Sequence, residues 1–456
     1  MSDLLAKTFF NDLRLKKAKQ LLLDALQEHS SKIVCVKPSS SRLKTSYKKL
    51  LDQFAKKRGA PLWYPYLSTG LGNGALIELA DGSIKYDFIS GIGVHWSHSK
   101  PSLISASIDG ALQDVIMQGN LQQNVRSLEL SQLLTKISGM DHVVVSTSGA
   151  MAAENALKIA LQKNHPKQRI LAFSNCFIGR TITLANITDK AANRVGLPSV
   201  IDVDYIPFYD HNKPETSLKH SLCVLKKYLE RYPNQHSVMC MELIQGEGGY
   251  YKAPKEFFIS LMEELKKHNI IIMIDEIQTF GRSGSYFAYQ EFGLQDYVDI
   301  VTIGKLSQVC ATLFKKEINP KPGLISQTFT SSSAAIETSI KIINELKDDS
   351  YLGKNGKIHE YHHIFKTLLE GLAIEYPHLV EGPYGYGGMI AFTPFKGDKD
   401  KVLIFLKELF INGVIGFIAG RNPVRARFLL PLGGITKEDI YKGFEIIKKT
   451  LINTSK

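Results

Sequence analysis

Two residues 30 positions apart, Asp275 in IIIMIDEIQTFGRSG and Lys305 in VDIVTIGKLSQVC, each close a short apolar run. Runs of this kind read as buried strands of a parallel sheet. In open α/β sheets, ligands bind at the carboxyl ends of the strands. A carboxylate there can pair with a protonated ring nitrogen, as pyridoxal phosphate requires, and keep the ring able to absorb electrons from a substrate carbon. The same Asp could instead cap a helix or hold a metal. A lysine at such a place can be partly desolvated, which lowers its pKa and favours a Schiff base. Its plainer role is a strand-end lysine reaching solvent. GKLS is not a phosphate-binding P-loop, because Asp299 and Leu306 stand where that motif has Gly and Ser or Thr.

A third signal is Ser148-Gly149-Ala150, between the β-branched run DHVVVST and the helix former MAAENALK. A turn of this kind aims free backbone N–H groups at an anion, and the helix dipole adds to the attraction. A phosphate fits, and so does a plain capped helix start. Arg180 in FIGRT and Arg427 in RARFLLPL could each fork onto a carboxylate. Alone, either is as well read as a surface residue. GLGNG at 70–74 lacks the strand and helix of a dinucleotide fingerprint.

The elements that must hold these residues follow from the pattern. Helical spacing predicts an amphipathic helix over 10–29, with Phe10, Leu13, Leu21, Leu22, Ala25 and Leu26 on its apolar stripe, and a basic helix over about 43–58. IELADGSIKYDF predicts a hairpin turning at Asp81-Gly82. From about residue 101 strands and helices alternate, and SLISASIDGALQDVIMQ reads as helix throughout. The alternation predicts an α/β fold with a mostly parallel sheet covered by helices. Residues 346–456 read as a smaller α+β domain, 101–345 as the large domain, and 1–100 as a helical extension plus a segment joining the small domain.

The 456 residues are 44% apolar and 22% charged, with a net charge of +12. Residues 1–60 hold 14 Lys/Arg against 5 Asp/Glu. A basic front end can meet nucleic acid or an anionic surface, but a solvated helix face is the ordinary reading and no nucleic-acid motif accompanies it. Cys35, Cys176, Cys223, Cys240 and Cys310 are scattered, which predicts reduced thiols, a cytoplasmic chain and no Cys-rich metal site. No signal peptide or membrane span is expected.

Taken together, several stretches between about Gly74 and Ile446 resemble the class III pyridoxal-phosphate aminotransferases of fold type I. DGSIKYDFISGIG with His98 and Pro101 resembles the family's entry segment, and SGAMAAENALKIA its phosphate-loop helix. FIGRT resembles FHGRT, ELIQGEGG resembles EPIQGEGG, and DEIQTFGRSG with LSQVC after Lys305 completes the core. The resemblance implies a homodimer with a seven-stranded sheet, and transfer of an amino group from an ω-amino acid to 2-oxoglutarate. Lysine, ornithine, acetylornithine and 4-aminobutyrate are the donors it brings into view. It implies that Lys305 forms the Schiff base and shuttles the proton. Asp275 would hold the ring nitrogen, Gln278 the phenolic oxygen, and Phe177 would stack on the ring. Ser148, Gly149 and Ala150 would bind phosphate, with Thr328 reaching the phosphate of the neighbouring subunit. Glu242 would support the cofactor, Arg427 would receive an α-carboxylate, Glu247 would mask that arginine, and Arg180 would hold a distal or α-carboxylate.

The sequence departs from the family at Ile178, Met151, Ala153 and Leu243, and DEIQTFGRSG is one residue short, which moves Arg282. The glycines usual after the lysine are absent, as in the lysine 6-aminotransferase and 4-aminobutyrate branches. Thr330 to Ser333 replace a Gly-Gly-Asn-Pro. These changes bear on the substrate more than on the cofactor. The competing readings are a mutase, racemase or decarboxylase on the same scaffold, and a binding protein that has lost its chemistry.

Overall fold

The computed structural model describes residues 4–114 and 116–456. Seven short strands form the central sheet: β1 His142–Ser146, β2 Arg169–Phe173, β3 Val203–Ile206, β4 His236–Met241, β5 Ile271–Asp275, β6 Ile300–Ile303 and β7 Cys310–Phe314. Their order is β1-β7-β6-β5-β4-β2-β3. β6, β5, β4, β2 and β3 pair in parallel, whereas β7 runs antiparallel to both β6 and β1. The sheet is mostly parallel, as expected, with β7 its one antiparallel strand. CATLF reads alike in either direction, and only the tight return after Lys305 fixes it.

Apolar side chains alternate to both faces, as a sheet covered on both sides requires. Ile272, Ile274, Val301 and Ile303 pack into one cluster with Phe257, Phe258 and Leu261 of helix Lys255–Lys267. Ile271, Met273 and Ile300 pack into the other with Ala153, Ala156 and Ala160 of helix Gly149–Lys163. The alanines let that helix lie close to the strands whose ends carry the chemistry.

Two further four-stranded sheets flank this body. The hairpin Leu76–Leu79 and Ile84–Asp87 turns at Asp81-Gly82 as expected, and Val414–Ile415 adds to it in parallel. The other sheet has the order Val380–Tyr386, Met389–Pro394, Arg425–Leu429, Phe417–Ala419 and is antiparallel.

Two expectations fail. The helix from Pro101 ends at Ala111, and Met117–Gln118 pairs instead with Ser331–Ser332. At the N-terminus, a helix spans Leu5–Phe10 and a second Leu13–Ser30. Phe10, Leu13, Leu21, Leu22 and Ala25 are exposed there; of the expected stripe only Leu26 faces the body, beside Leu15, Lys19 and Leu23. Lys19 pairs with Asp109 at 2.8 Å. The basic helix forms over Lys44–Arg58, with Lys44, Lys48, Lys49, Lys56, Lys57 and Arg58 exposed. Among the described residues, no helix is long and apolar enough to cross a membrane.

Candidate active site

Asp275 is the last residue of β5, and Lys305 lies two residues beyond the end of β6, its parallel neighbour. Both strands point their carboxyl ends at one cavity of about 480 Å³. Lys305 begins a single tight turn, Lys305–Ser307, and its φ of 53° is left-handed. A lysine held that way costs about 1–2 kcal/mol of backbone strain. The turn is braced from several sides. Ser307 Oγ donates to Val309 O (2.6 Å), Gln308 N donates to Lys305 O (3.0 Å), and Gln308 Nε2 donates to Val94 O (2.8 Å).

Opposite stands the start of helix Gly149–Lys163. Ser148 accepts the amide of Met151 through Oγ (3.2 Å), so its side chain is the helix cap and does not line the cavity. Gly149 and Ala150 do line it. Among the described residues, their amides have no acceptor within the protein. Two free N–H groups at the positive end of a 15-residue helix make an anion cradle. A side chain at Gly149 would stand 2.8 Å from Ile277 Cδ1, so glycine lets the cradle close against β5's end.

Phe177, Arg180, Glu242, Glu247 and Gln278 complete the lining that was expected from the sequence. Glu242 accepts the amides of Phe177 (2.8 Å) and Gly246 (3.0 Å). Arg180 is exposed, with neither an ion pair nor a hydrogen bond among the described residues, and lies 5.9 Å from the Phe177 ring. Arg427 is fully buried behind the wall. Its Nη2 pairs with Glu247 Oε1, and its Nη1 donates to Gly246 O (3.2 Å) and approaches Gln278 Oε1 (3.5 Å). Thr328 lies on an exposed loop and does not line the cavity. Arg282, shifted by the missing residue, is also fully buried. It donates to Gln278 O (3.0 Å) and to Gly93 O and holds no carboxylate. Val94, Gln308 and Cys310 line the cavity without a sequence signal that marks them.

Burial sets the charges. It raises the Asp275 carboxyl to about 6, against the Ile277 amide (2.9 Å) and Lys305, which favour the ionised form. Burial, with Asp275 nearby, lifts Glu242 to about 8. Burial and then the Arg427 charge bring Lys305 down to about 8, with Glu247 opposing. Burial also works against Glu247, but Arg427 outweighs it and keeps Glu247 ionised.

A lysine with lowered proton affinity carries a linkage. Below pH 8 the fold must hold a charge that it disfavours. That cost shrinks as pH rises from about 8 toward 10.5, where the unfolded chain also loses the proton. Without cofactor, Lys305→Met is therefore expected to stabilise the protein at pH 7 by on the order of 1–3 kcal/mol. The gain should vanish near pH 10.5. Chemical denaturation at several pH values measures it, and an equal gain at all pH values would refute the charge argument.

The donor set suits pyridoxal phosphate. It offers an amine at a strand end, a buried carboxylate able to pair with a ring cation, an aromatic wall and two free amides for phosphate. A sequence profile of the family described as Aminotransferase class-III matches residues 64–451. The chain belongs to the class III aminotransferases. It is 30% identical over 395 residues to the acetylornithine aminotransferase of Bacillus cereus, covering 83% of this chain and 93% of that protein. To that of Wolinella succinogenes it is 29% identical over 404 residues, covering 85% and 95%. Among solved structures, the lysine aminotransferase from M. tuberculosis superposes with a TM-score of 0.78 at 21% identity, over 89% of this chain and 99% of that one. The ornithine aminotransferase from Toxoplasma gondii gives 0.77 at 22%, over 91% and 99%. These two likenesses establish the fold, fold type I. This class III aminotransferase is thus an enzyme.

Proposed function

We propose that this aminotransferase uses pyridoxal phosphate to move an amino group from an ω-amino acid to 2-oxoglutarate. The observation that carries the reading is the convergence of Lys305, Asp275 and the free amides of Gly149 and Ala150 on one cavity lined by Glu247, whose partner Arg427 stands behind the wall. When bound, the cofactor supplies a carbon that exchanges amine partners and a ring that takes up the electrons released by deprotonation. The chain's residues do the rest. Lys305 Nζ would hold the cofactor, and as a free amine it would accept and return the substrate's proton. A pKa of about 8 suits that work near neutral pH. Asp275 Oδ would hold the ring nitrogen's proton, Gln278 would bond the phenolic oxygen and Phe177 would cover the ring, while Glu242 keeps the Phe177 and Gly246 backbone in place. The cavity orients the bond to be broken and limits water.

Substrate choice rests on the arginines. With Glu247 on Arg427, that arginine is not free for an α-carboxylate, which suits a donor that reacts through its distal amine. Arg180, unpaired at the cavity, would take that donor's remote carboxylate. With Glu247 turned away, Arg427 would receive the α-carboxylate of 2-oxoglutarate. The names of the relatives, acetylornithine, lysine and ornithine aminotransferases, favour the same donor class. Thr328, exposed and outside its own chain's cavity, fits a role across the interface of a homodimer, where it would bond the phosphate held by the other subunit.

The test is spectral. Protein loaded with pyridoxal phosphate and freed of excess would be mixed singly with lysine, ornithine, N-acetylornithine, 4-aminobutyrate and glutamate. The reading expects one ω-amino donor to bleach the visible band and 2-oxoglutarate to restore it. A band that no ω-amino donor changes would overturn it.

A further inference from the structure

Glu247 sits on a loop whose backbone is held at three points. Gly246 O accepts from Arg427 Nη1 (3.2 Å), Glu247 O accepts the amide of Gly420 (2.9 Å), and Gly249 O accepts from Arg425 Nη1. Beyond it the chain makes a sharp, left-handed bend, with φ of 123° at Gly249 and 60° at Tyr250. Tyr250 N closes the bend onto Gln245 O (2.8 Å). Arg425 and Arg427 are two residues apart on one strand and so point to the same face.

Arg425 is an unusual residue to bury. It is 2% exposed, does not line the cavity, and among the described residues has no carboxylate within 4 Å. Burying a guanidinium without a counter-ion is costly unless other groups compensate. Here the compensation is one carbonyl and two aromatic rings: its guanidinium carbon lies 4.1 Å from the Tyr251 ring centroid and 3.4 Å from that of Tyr384. Tyr251 belongs to the loop's own exit strand, Tyr251–Lys252, and Tyr384 to Val380–Tyr386 of Arg425's own sheet. The Gly249 and Tyr251 contacts tie the loop after Glu247 to that sheet, and the Tyr384 ring holds the Arg425 side chain in place.

We propose that Arg425 is a positioning residue for the Glu247–Arg427 gate. It fixes the Gly248–Tyr251 backbone, so Glu247 leaves and returns to Arg427 by side-chain rotation alone. The inference rests on the substrate reading given above. A fixed loop has already lost the freedom that forming the closed pair would cost, so Arg425 favours the closed state. Loosening the loop shifts the gate toward the open state. That helps a substrate whose α-carboxylate needs Arg427 and hinders one that reacts with the gate shut.

The experiment uses the cofactor-loaded enzyme with Arg425→Met, and with Tyr384→Leu in case the first variant folds poorly. N-acetylornithine and 4-aminobutyrate serve as ω-amino probes and 2-oxoglutarate as the α-carboxylate probe. The KM for 2-oxoglutarate is expected to fall about three- to tenfold and that for the ω-amino probe to rise by a similar factor, a shift within about 1.4 kcal/mol. Hydrogen exchange across residues 246–252 should quicken in the same variants. Two KM values that move together, or that both stay put, would overturn the proposal, and so would unchanged exchange. Glu247→Gln separates the two levels. If it fails to split the substrates, the gate reading itself falls. If it splits them while Arg425→Met and Tyr384→Leu do not, only the role of Arg425 falls.

Discussion

Lys305→Ala is expected to lower turnover by roughly 10⁴-fold or more, because in the proposed mechanism one amine both holds the cofactor and moves the proton. The visible band that pyridoxal phosphate gives on the wild-type protein should be lost. A small amine such as methylamine should restore part of the rate, since the cavity, the carboxylate of Asp275 and the amides of Gly149 and Ala150 are all left in place. Stopped-flow absorbance with and without the added amine reads both effects. Full activity in the variant, or an unchanged band, would remove Lys305 from the chemistry and with it the proposed mechanism.

Asp275→Asn should have the next largest effect. The substitution keeps the shape and the contact with the Ile277 amide, and it removes the charge of the Asp275 carboxylate. Removing a preorganised electrostatic partner of developing charge typically costs about 10²- to 10³-fold in kcat, and that range is expected here. In the cofactor-free protein the same change should stabilise. Burial raises the Asp275 pKa to about 6, above the 3.8 of a free Asp, so the folded chain pays for the ionised form as pH rises through that window. The variant should gain on the order of 1–2 kcal/mol above pH 6 and nothing below about pH 4. Loss of turnover without that gain would mean that Asp275 supports the fold and not the ring.

Much of this arrangement was legible before any coordinates. Parallel strands covered on both faces must be apolar throughout, so IIIMID and VDIVTI announce themselves, and their ends place Asp275 and Lys305. The alanine-rich helix after Ser148-Gly149 and the hairpin at Asp81-Gly82 are local signals of the same quality. What stayed hidden depends on distant partners. Met117–Gln118 has helix-forming neighbours but pairs with Ser331–Ser332, more than 200 residues away. The holding of Gly249 by Arg425 spans 176 residues and no sequence signal marks it, whereas the pair of Glu247 with Arg427, 180 residues apart, was expected from the family resemblance alone and not from spacing. The leucines of helix Leu13–Ser30 have a helical period, yet the period alone does not say which face meets the body. Gln308 and Cys310 lie in the cavity only because the chain doubles back into β7 straight after Lys305.

The left-handed backbone of Lys305 has a consequence for how this sequence can drift. The residue sits in a conformation that suits glycine better, and its amine lies where a charge is disfavoured. Almost any apolar or small replacement would leave a sturdier protein. A lineage selected only to stay folded would shed this lysine early, since stabilising substitutions at such sites are easy to reach. Its presence beside an intact Asp275 therefore marks a chain still held to its chemistry, and weighs against a fold kept only as a binding surface.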